Sequence, residues 1–343
     1  MNAQSQPRNT PALRRRHPFG MLLRREYWEH RGGFLWAPVI AGGISLLLTI
    51  VFSIIAVVVA RRAAAEGELQ IDGMVVNGLD LALLTSRMSA SDLQQLADAI
   101  DLSLVMSSSW PFIVMAFVVF FYCLGALYDD RKDRSLLFWK SLPVSDRDTV
   151  LSKVASALLV APLLATAAAL VTMFAHLVVV SVLVMSHGGS AWQLLWASGT
   201  PFRLTLFFIA AIPVYAAWAL PTVGWLLMCS AWARSKPFLW ALLIPVLLGV
   251  CVSAFSVMEY FGQTTGWFWQ NVVARMLLSV VPAGWMDAIN LGALAESSEG
   301  MRHLTSLPTL YSTFASPKMW IGMLAGAAMI AISVRLRRWR EEG

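Results

Sequence analysis

Charge is what this chain has least of. Only 13% of its 343 residues are Asp, Glu, Lys or Arg, while 58% are hydrophobic; soluble domains carry roughly 25% charged residues. That deficit excludes an ordinary soluble fold and indicates an integral membrane protein. Catalytic signatures are missing too. There is no Gly-Lys dipeptide, so no Walker A phosphate loop can be drawn. No His precedes a Glu, which removes the HExxH zinc pattern, and no GxSxG elbow occurs. Cysteine is scarce: Cys123, Cys229 and Cys251 fall inside apolar segments and read as small buried hydrophobes, neither a disulfide frame nor a metal cluster. The apolar segments are almost free of ionisable groups, which counts against ion-coupled transport while leaving a hydroxyl- or backbone-lined site open. His176 is the histidine inside a span. It reads as a hydrogen-bonded, bundle-facing group rather than a proton relay, because no carboxylate accompanies it.

What is present is a set of long apolar runs. A spanning helix needs about 20 mostly apolar residues, and six segments qualify or nearly so: 36–60, 109–128, 154–185, 204–232, 238–257 and 319–334. The fold class is therefore all-α, with six transmembrane helices in a single domain over 36–334. Pro162, Pro213 and Pro221 supply kink points. Trp36, Trp110, Trp232, Trp240, Trp320 and Trp339 stand where helices should meet headgroups. The N-terminal apolar run exceeds the roughly 7–15 residues of a signal-peptide core, so no cleavable signal is expected. Residues 1–16 read as a mobile tail and 335–343 as a basic tail.

Orientation follows from basic residues. Nineteen of the 26 lysines and arginines fall on one side of the six-span scheme, in 1–35, 129–153, 233–237 and 335–343. The other seven are spread over longer connections, 61–108, 186–203 and 258–318. Both termini are therefore expected to be cytoplasmic. The net charge of +6 lies beside apolar runs, where topology and anionic lipid headgroups explain it and nucleic acid does not. The 61–108 connection predicts one helix, with Ser91 and Gln94 as its capping box. The apolar segment 271–285 is too short to cross and reads as re-entrant or interfacial. Trp192, Trp196, Trp267 and Trp269 read as an aromatic belt, with contact to an amphiphile as the alternative.

Two stretches at the basic side stand out. Leu127 to Lys153 places Leu136, Leu137, Phe138 and Trp139 in the middle of a charged loop. Asp129 to Arg134 form a charged collar, Ser135 to Lys140 can form a short helix ended by Pro143, and Ser145 with Asp148 caps the helix that re-enters the membrane. The loop is either an ordinary positive-inside loop with interfacial aromatics or a docking element for a partner. The second stretch, Leu22 to Pro38, predicts an interfacial helix: Leu22, Leu23, Tyr27 and Trp28 are apolar or amphipathic, while Arg24, Arg25, Glu26 and Glu29 are charged.

These residues carry a resemblance. Asp130 and Arg131, the Leu142-Pro143-Val144-Ser145 core and Lys153 resemble the loop after the second span in permease subunits of type-2 ABC exporters. Asp146 before Arg147, and the lack of a glycine near Ser135, depart from that pattern. Residues 17–35 are similar to the family's cytoplasmic elbow helix, and Val280 to Ile289 to the Pro-x-x-Trp stretch of its outer hairpin. The resemblance implies a coupling helix involving Asp130, Arg131, Arg134, Leu136, Leu137, Phe138, Trp139, Leu142 and Pro143, and an elbow involving Arg24, Arg25, Glu26, Tyr27 and Trp28. It also implies a bacterial inner-membrane location, a second permease copy or homologue, and separate ATP-binding cassette subunits that hold Mg-ATP; this chain would bind no cofactor and catalyse nothing itself. A membrane scaffold or assembly factor is the alternative function. Lipid, polysaccharide, peptide and drug exporters share this layout, so the substrate is open.

Overall fold

The computed structural model describes residues 18–65, 70–71, 74–75, 88–132, 145–288 and 304–341. Apart from a two-residue antiparallel ladder, β1 (Gln70–Ile71) with β2 (Met74–Val75), the described secondary structure is helical. A short helix α1 (Pro18–Glu29) leads through a π-turn, Gly32–Trp36, into α2 (Ala37–Ala65). Then come α3 (Ala90–Ala126), α4 (Tyr128–Lys132), α5 (Asp146–Ala155) and α6 (Ala161–Ser186), the last two joined by a π-turn at Ser156–Val160. α7 (Thr200–Trp232) and α8 (Pro237–Ala254) follow, then the short helices α9 (Thr265–Phe268), α10 (Ala274–Leu278) and α11 (Leu307–Ser312), and finally α12 (Pro317–Glu341).

Six of these helical stretches are long and apolar enough to cross a membrane: Gly32–Arg62, Gln94–Lys132, Asp146–Ser186, Trp192–Trp232, Pro237–Ala254 and Pro317–Trp339. The second, third and fourth form the core of the bundle. The first, fifth and sixth lie at its edges, with apolar side chains such as Phe52, Leu243 and Leu324 exposed as a lipid-facing surface requires. Cys123 and Cys229 are buried, but Cys251 is exposed on α8, so it belongs to that outer surface and not to the core.

Three expectations about boundaries change. The cap of α3 is Ser89 with Asp92, not Ser91 with Gln94: Ser89 Oγ accepts the Asp92 N–H at 3.2 Å, and the Asp92 carboxylate accepts the Ser89 N–H at 3.2 Å. Aspartate three residues on closes the same reciprocal pair that glutamate usually does. Nor is the helix of the 61–108 connection separate from the second span, since α3 runs unbroken through Pro111. The proline is tolerated because the Ser107 carbonyl, the partner it cannot serve, accepts the Ser45 hydroxyl of α2 at 2.8 Å. At Pro245 in α8 the same problem has a second solution: Trp225 Nε1 donates to the Ala241 carbonyl at 2.9 Å. Finally, the basic tail is helical, because α12 continues to Glu341 with no breaker in its way.

Close packing of α12 on α7 holds the sixth span. A Cβ on Gly326 would come within 2.5 Å of the Leu220 carbonyl oxygen, and one on Gly224 within 2.5 Å of the Gly326 oxygen. With Gly322 one turn earlier, α12 carries the small-xxx-small spacing that lets membrane helices approach.

Candidate functional site

The ends of α1, α3, α5, α7 and α12 meet at one end of the bundle, where most of the basic residues lie. α3 stops because Ser230 Oγ, on α7, accepts the N–H groups of Leu127 and Tyr128 at 3.0 and 2.9 Å. One turn on, Arg131 donates through Nη2 to the Ser230 and Ala233 carbonyls, the latter at 3.0 Å, and through Nε to the Leu127 carbonyl at 3.3 Å. A guanidinium there satisfies orphan carbonyls at the C-terminus of α7 and complements its dipole. Ser145 Oγ accepts the Asp148 N–H at 3.1 Å, so the cap read from the sequence is the one that opens α5.

Beneath this lies a buried ionic junction. Lys153 Nζ sits 3.0 Å from Glu26 Oε1 and 3.3 Å from Asp130 Oδ2. The Tyr122 hydroxyl donates to Glu26 Oε2 at 2.7 Å. Arg337 Nη1 is 3.7 Å from Asp130 Oδ2, and its Nε is 3.4 Å from Asp146 Oδ1. Glu26 and Lys153 are 1% and 2% exposed, which makes them among the most deeply buried charges in the protein. Four elements, α1, α4, α5 and α12, thus share one set of charges, and α3 joins it through the Tyr122 hydroxyl. A buried pair of this kind adds little net stability over a well-packed apolar pair, but removing one partner costs about 3–5 kcal/mol because the other charge is stranded. Its physical effect is to fix the relative positions of the elements that carry it.

The structure places the elbow residues unevenly. Trp28 is exposed beside Arg31, whose guanidinium lies 5.7 Å from the indole centroid, and Arg25 pairs with Glu29 at 3.3 Å. Arg24 is exposed and Tyr27 half-buried. Glu26, grouped with the charged face in the sequence, instead points into the bundle. Leu22 and Phe34 are buried on the same side, with Phe34 and His30 packed edge-on against the Tyr122 ring at 4.9 and 4.7 Å. Of the residues expected to couple, Asp130 lies in the ionic junction and Arg131 on the carbonyls above it. Arg134, Leu136, Leu137, Phe138, Trp139, Leu142 and Pro143 lie outside the described residues.

Arg337 was missed. In the sequence it is one of the basic residues that set orientation. A signal was available: Gly326, Ile330, Ser333 and Arg337 recur at four- and three-residue steps along one face of α12, and all four are buried.

The other polar features of the bundle are separate from this junction. His176 on α6 takes Thr49 and Ser103 as hydroxyl partners at 3.1 and 3.3 Å, as a bundle-facing histidine should. The 271–285 segment packs along α7 around Tyr215–Thr222. There Arg275 lies 3.5 Å over the Trp218 ring and donates to the Trp218 carbonyl at 3.2 Å, while Thr222 Oγ1 accepts the Ser279 N–H at 3.0 Å. The tryptophans read as a belt divide: Trp192 is exposed, whereas the Trp196 and Trp269 indoles donate to Ser181 and Ser253 at 3.2 and 3.0 Å. Among the described residues, no cluster of His, Cys, Asp and Glu could hold a metal ion. No family model, curated protein or solved structure matches the chain.

Proposed function

We propose that this chain is the permease subunit of an ATP-driven exporter of the type-2 ABC class. Two permease subunits would line the path, and separate ATPase subunits, holding Mg-ATP, would bind the cytoplasmic face through residues 129–148. One observation carries the reading. The residues that the loop resemblance singles out on either side of 133–144, Asp130 and Lys153, share a buried charge set with Glu26 of the elbow-like helix and Arg337 of the last span. A loop that only kept the chain in the membrane needs no such connection. A loop that passes a partner's motion to the spans needs one, since force is carried only through contacts with discrete, rigid geometry. The mechanism that follows is mechanical. The partner would push on the loop; Asp130 and Lys153 would pass the displacement to α1 through Glu26 and to α12 through Arg337, and α12 would carry it to α7 through the glycine contact at Gly224 and Gly326. The test is affinity capture of the full chain from native membranes. A soluble ATPase with its own phosphate loop is expected to co-purify, and the captured chain freed of it should hydrolyse no ATP. Capture of only non-ATPase partners would favour the scaffold alternative.

A further inference from the structure

Beside the buried junction, α5 and α12 diverge and leave a groove of about 530 Å³, lined by Arg147 and Leu151 from α5 and by Ile330, Ala331, Val334, Arg335, Arg338 and Trp339 from α12. Among the described residues, three arginines and no carboxylate line it. On α5, Asp146 beside Arg147 faces Arg337 instead, at 3.4 Å. Among the described residues, Arg147 and Arg338 make no ion pair, and Arg335 only stacks near Trp339, 5.0 Å from its ring centroid.

The arrangement of these groups along the helices matters more than their number. On α5, Arg147 stands one turn beyond Leu151, toward the helix end. On α12, Ile321, Leu324, Ala328, Ala331, Arg335 and Arg338 recur at three- and four-residue steps, and all six are exposed. The stripe is apolar for the length of the span and turns basic where the helix leaves the membrane. Both walls therefore offer arginine at the mouth and hydrocarbon below it, with an indole at the boundary, where amphipathic rings settle.

We infer that this groove binds one phospholipid with a net-negative headgroup, in the leaflet at the basic end of the bundle. The phosphate lies among Arg147, Arg335 and Arg338, whose planar guanidinium groups suit its oxygens, and an acyl chain runs down the Ala331–Leu324 stripe. A soluble anion has no use for the apolar stripe, and a zwitterionic lipid cancels much of the attraction of three cations. Basic pockets between spanning helices at this depth suit anionic headgroups. The inference does not depend on the exporter reading, because it uses only the membrane-spanning fold and this groove.

The test is native mass spectrometry of the full chain in neutral detergent, titrated with phosphatidylglycerol and with phosphatidylcholine of the same acyl chains. The wild type is expected to retain phosphatidylglycerol over phosphatidylcholine by about tenfold, the scale set by a few arginines near a charged surface. Arg335→Gln with Arg338→Gln should abolish the preference. Ala331→Trp, which fills the groove from an exposed position without changing charge, should abolish it too. Both variants must elute as the wild type does on size exclusion, and the inference is overturned if either folded variant keeps the preference. It is also overturned if sn-glycerol 3-phosphate displaces the lipid at comparable concentration, since the site would then be one for a soluble phosphate.

Discussion

The end and the middle of the fourth span bury polar groups in different ways. Where α7 ends, near Trp232, it meets a network with charges of both signs, and Arg131, Lys153 and Arg337 face Asp130, Glu26, Asp146 and backbone carbonyls from several elements. Midway along, around Trp218, α7 is held by the 271–285 segment through Arg275 against a carbonyl and an aromatic face, and through Thr222. The first arrangement ties many elements to one another; the second ties one segment to one helix. Disturbing the first should therefore be felt across the bundle, and disturbing the second only locally.

The largest contrast is one of sides. Single cysteines placed near Asp92 and Ser297 in a cysteine-less background should label fully from outside intact cells, and one at Ser141 should not label at all. Labelling at Ser141 would invert the orientation and take the proposed docking loop away from the cytoplasm. Next comes stability. Lys153→Met strands Glu26 and Asp130 and should cost about 3–5 kcal/mol, read as a lower unfolding midpoint in detergent; combining it with Glu26→Gln should recover part of the loss, a coupling that a double-mutant cycle measures. Arg275→Met should cost less, about 2 kcal/mol, because a cation–π contact and a carbonyl hydrogen bond are lost from a half-buried position. Trp225→Phe keeps the packing but leaves the Ala241 carbonyl beside Pro245 without its donor, and should cost about 1 kcal/mol in the same assay.

These contrasts also mark what the sequence could and could not disclose. The six crossing segments were readable because hydrocarbon thickness imposes a length and a polarity that no tertiary contact overrides. The Ser145 cap was readable because capping is local. Prolines 111 and 245 were harder to interpret, since the groups that rescue their helices, Ser45 and Trp225, lie on other spans. The α3 cap was misplaced by two residues, as Ser89 and Ser91 offer similar chemistry and only geometry chooses. Sidedness was the deeper difficulty. Glu26 sits among Arg24, Arg25 and Glu29 on one short helix, and nothing in that run says which charge turns inward until Lys153, more than a hundred residues away, is brought 3.0 Å from it. Arg337 was hidden for a different reason: in a basic tail, topology explains every arginine equally well, and only the buried stripe of α12 distinguishes it.

The most direct measurement of the central claim is ATPase retention on the affinity-tagged chain, scored per folded molecule for four variants. Leu137→Ala with Trp139→Ala, which removes the apolar anchors of the proposed docking loop, should lose most of the ATPase and abolish export, as truncating buried interface aromatics commonly costs about 2 kcal/mol or more. Arg134→Ala, at the proposed rim, should retain most of it. Lys153→Met should retain less ATPase than Arg275→Met, even though both variants remove a cation that packs inside the protein. A Leu137→Ala/Trp139→Ala protein that holds the ATPase and exports as well as wild type would contradict the claim, and would leave Leu136 to Trp139 as a contact with the membrane surface.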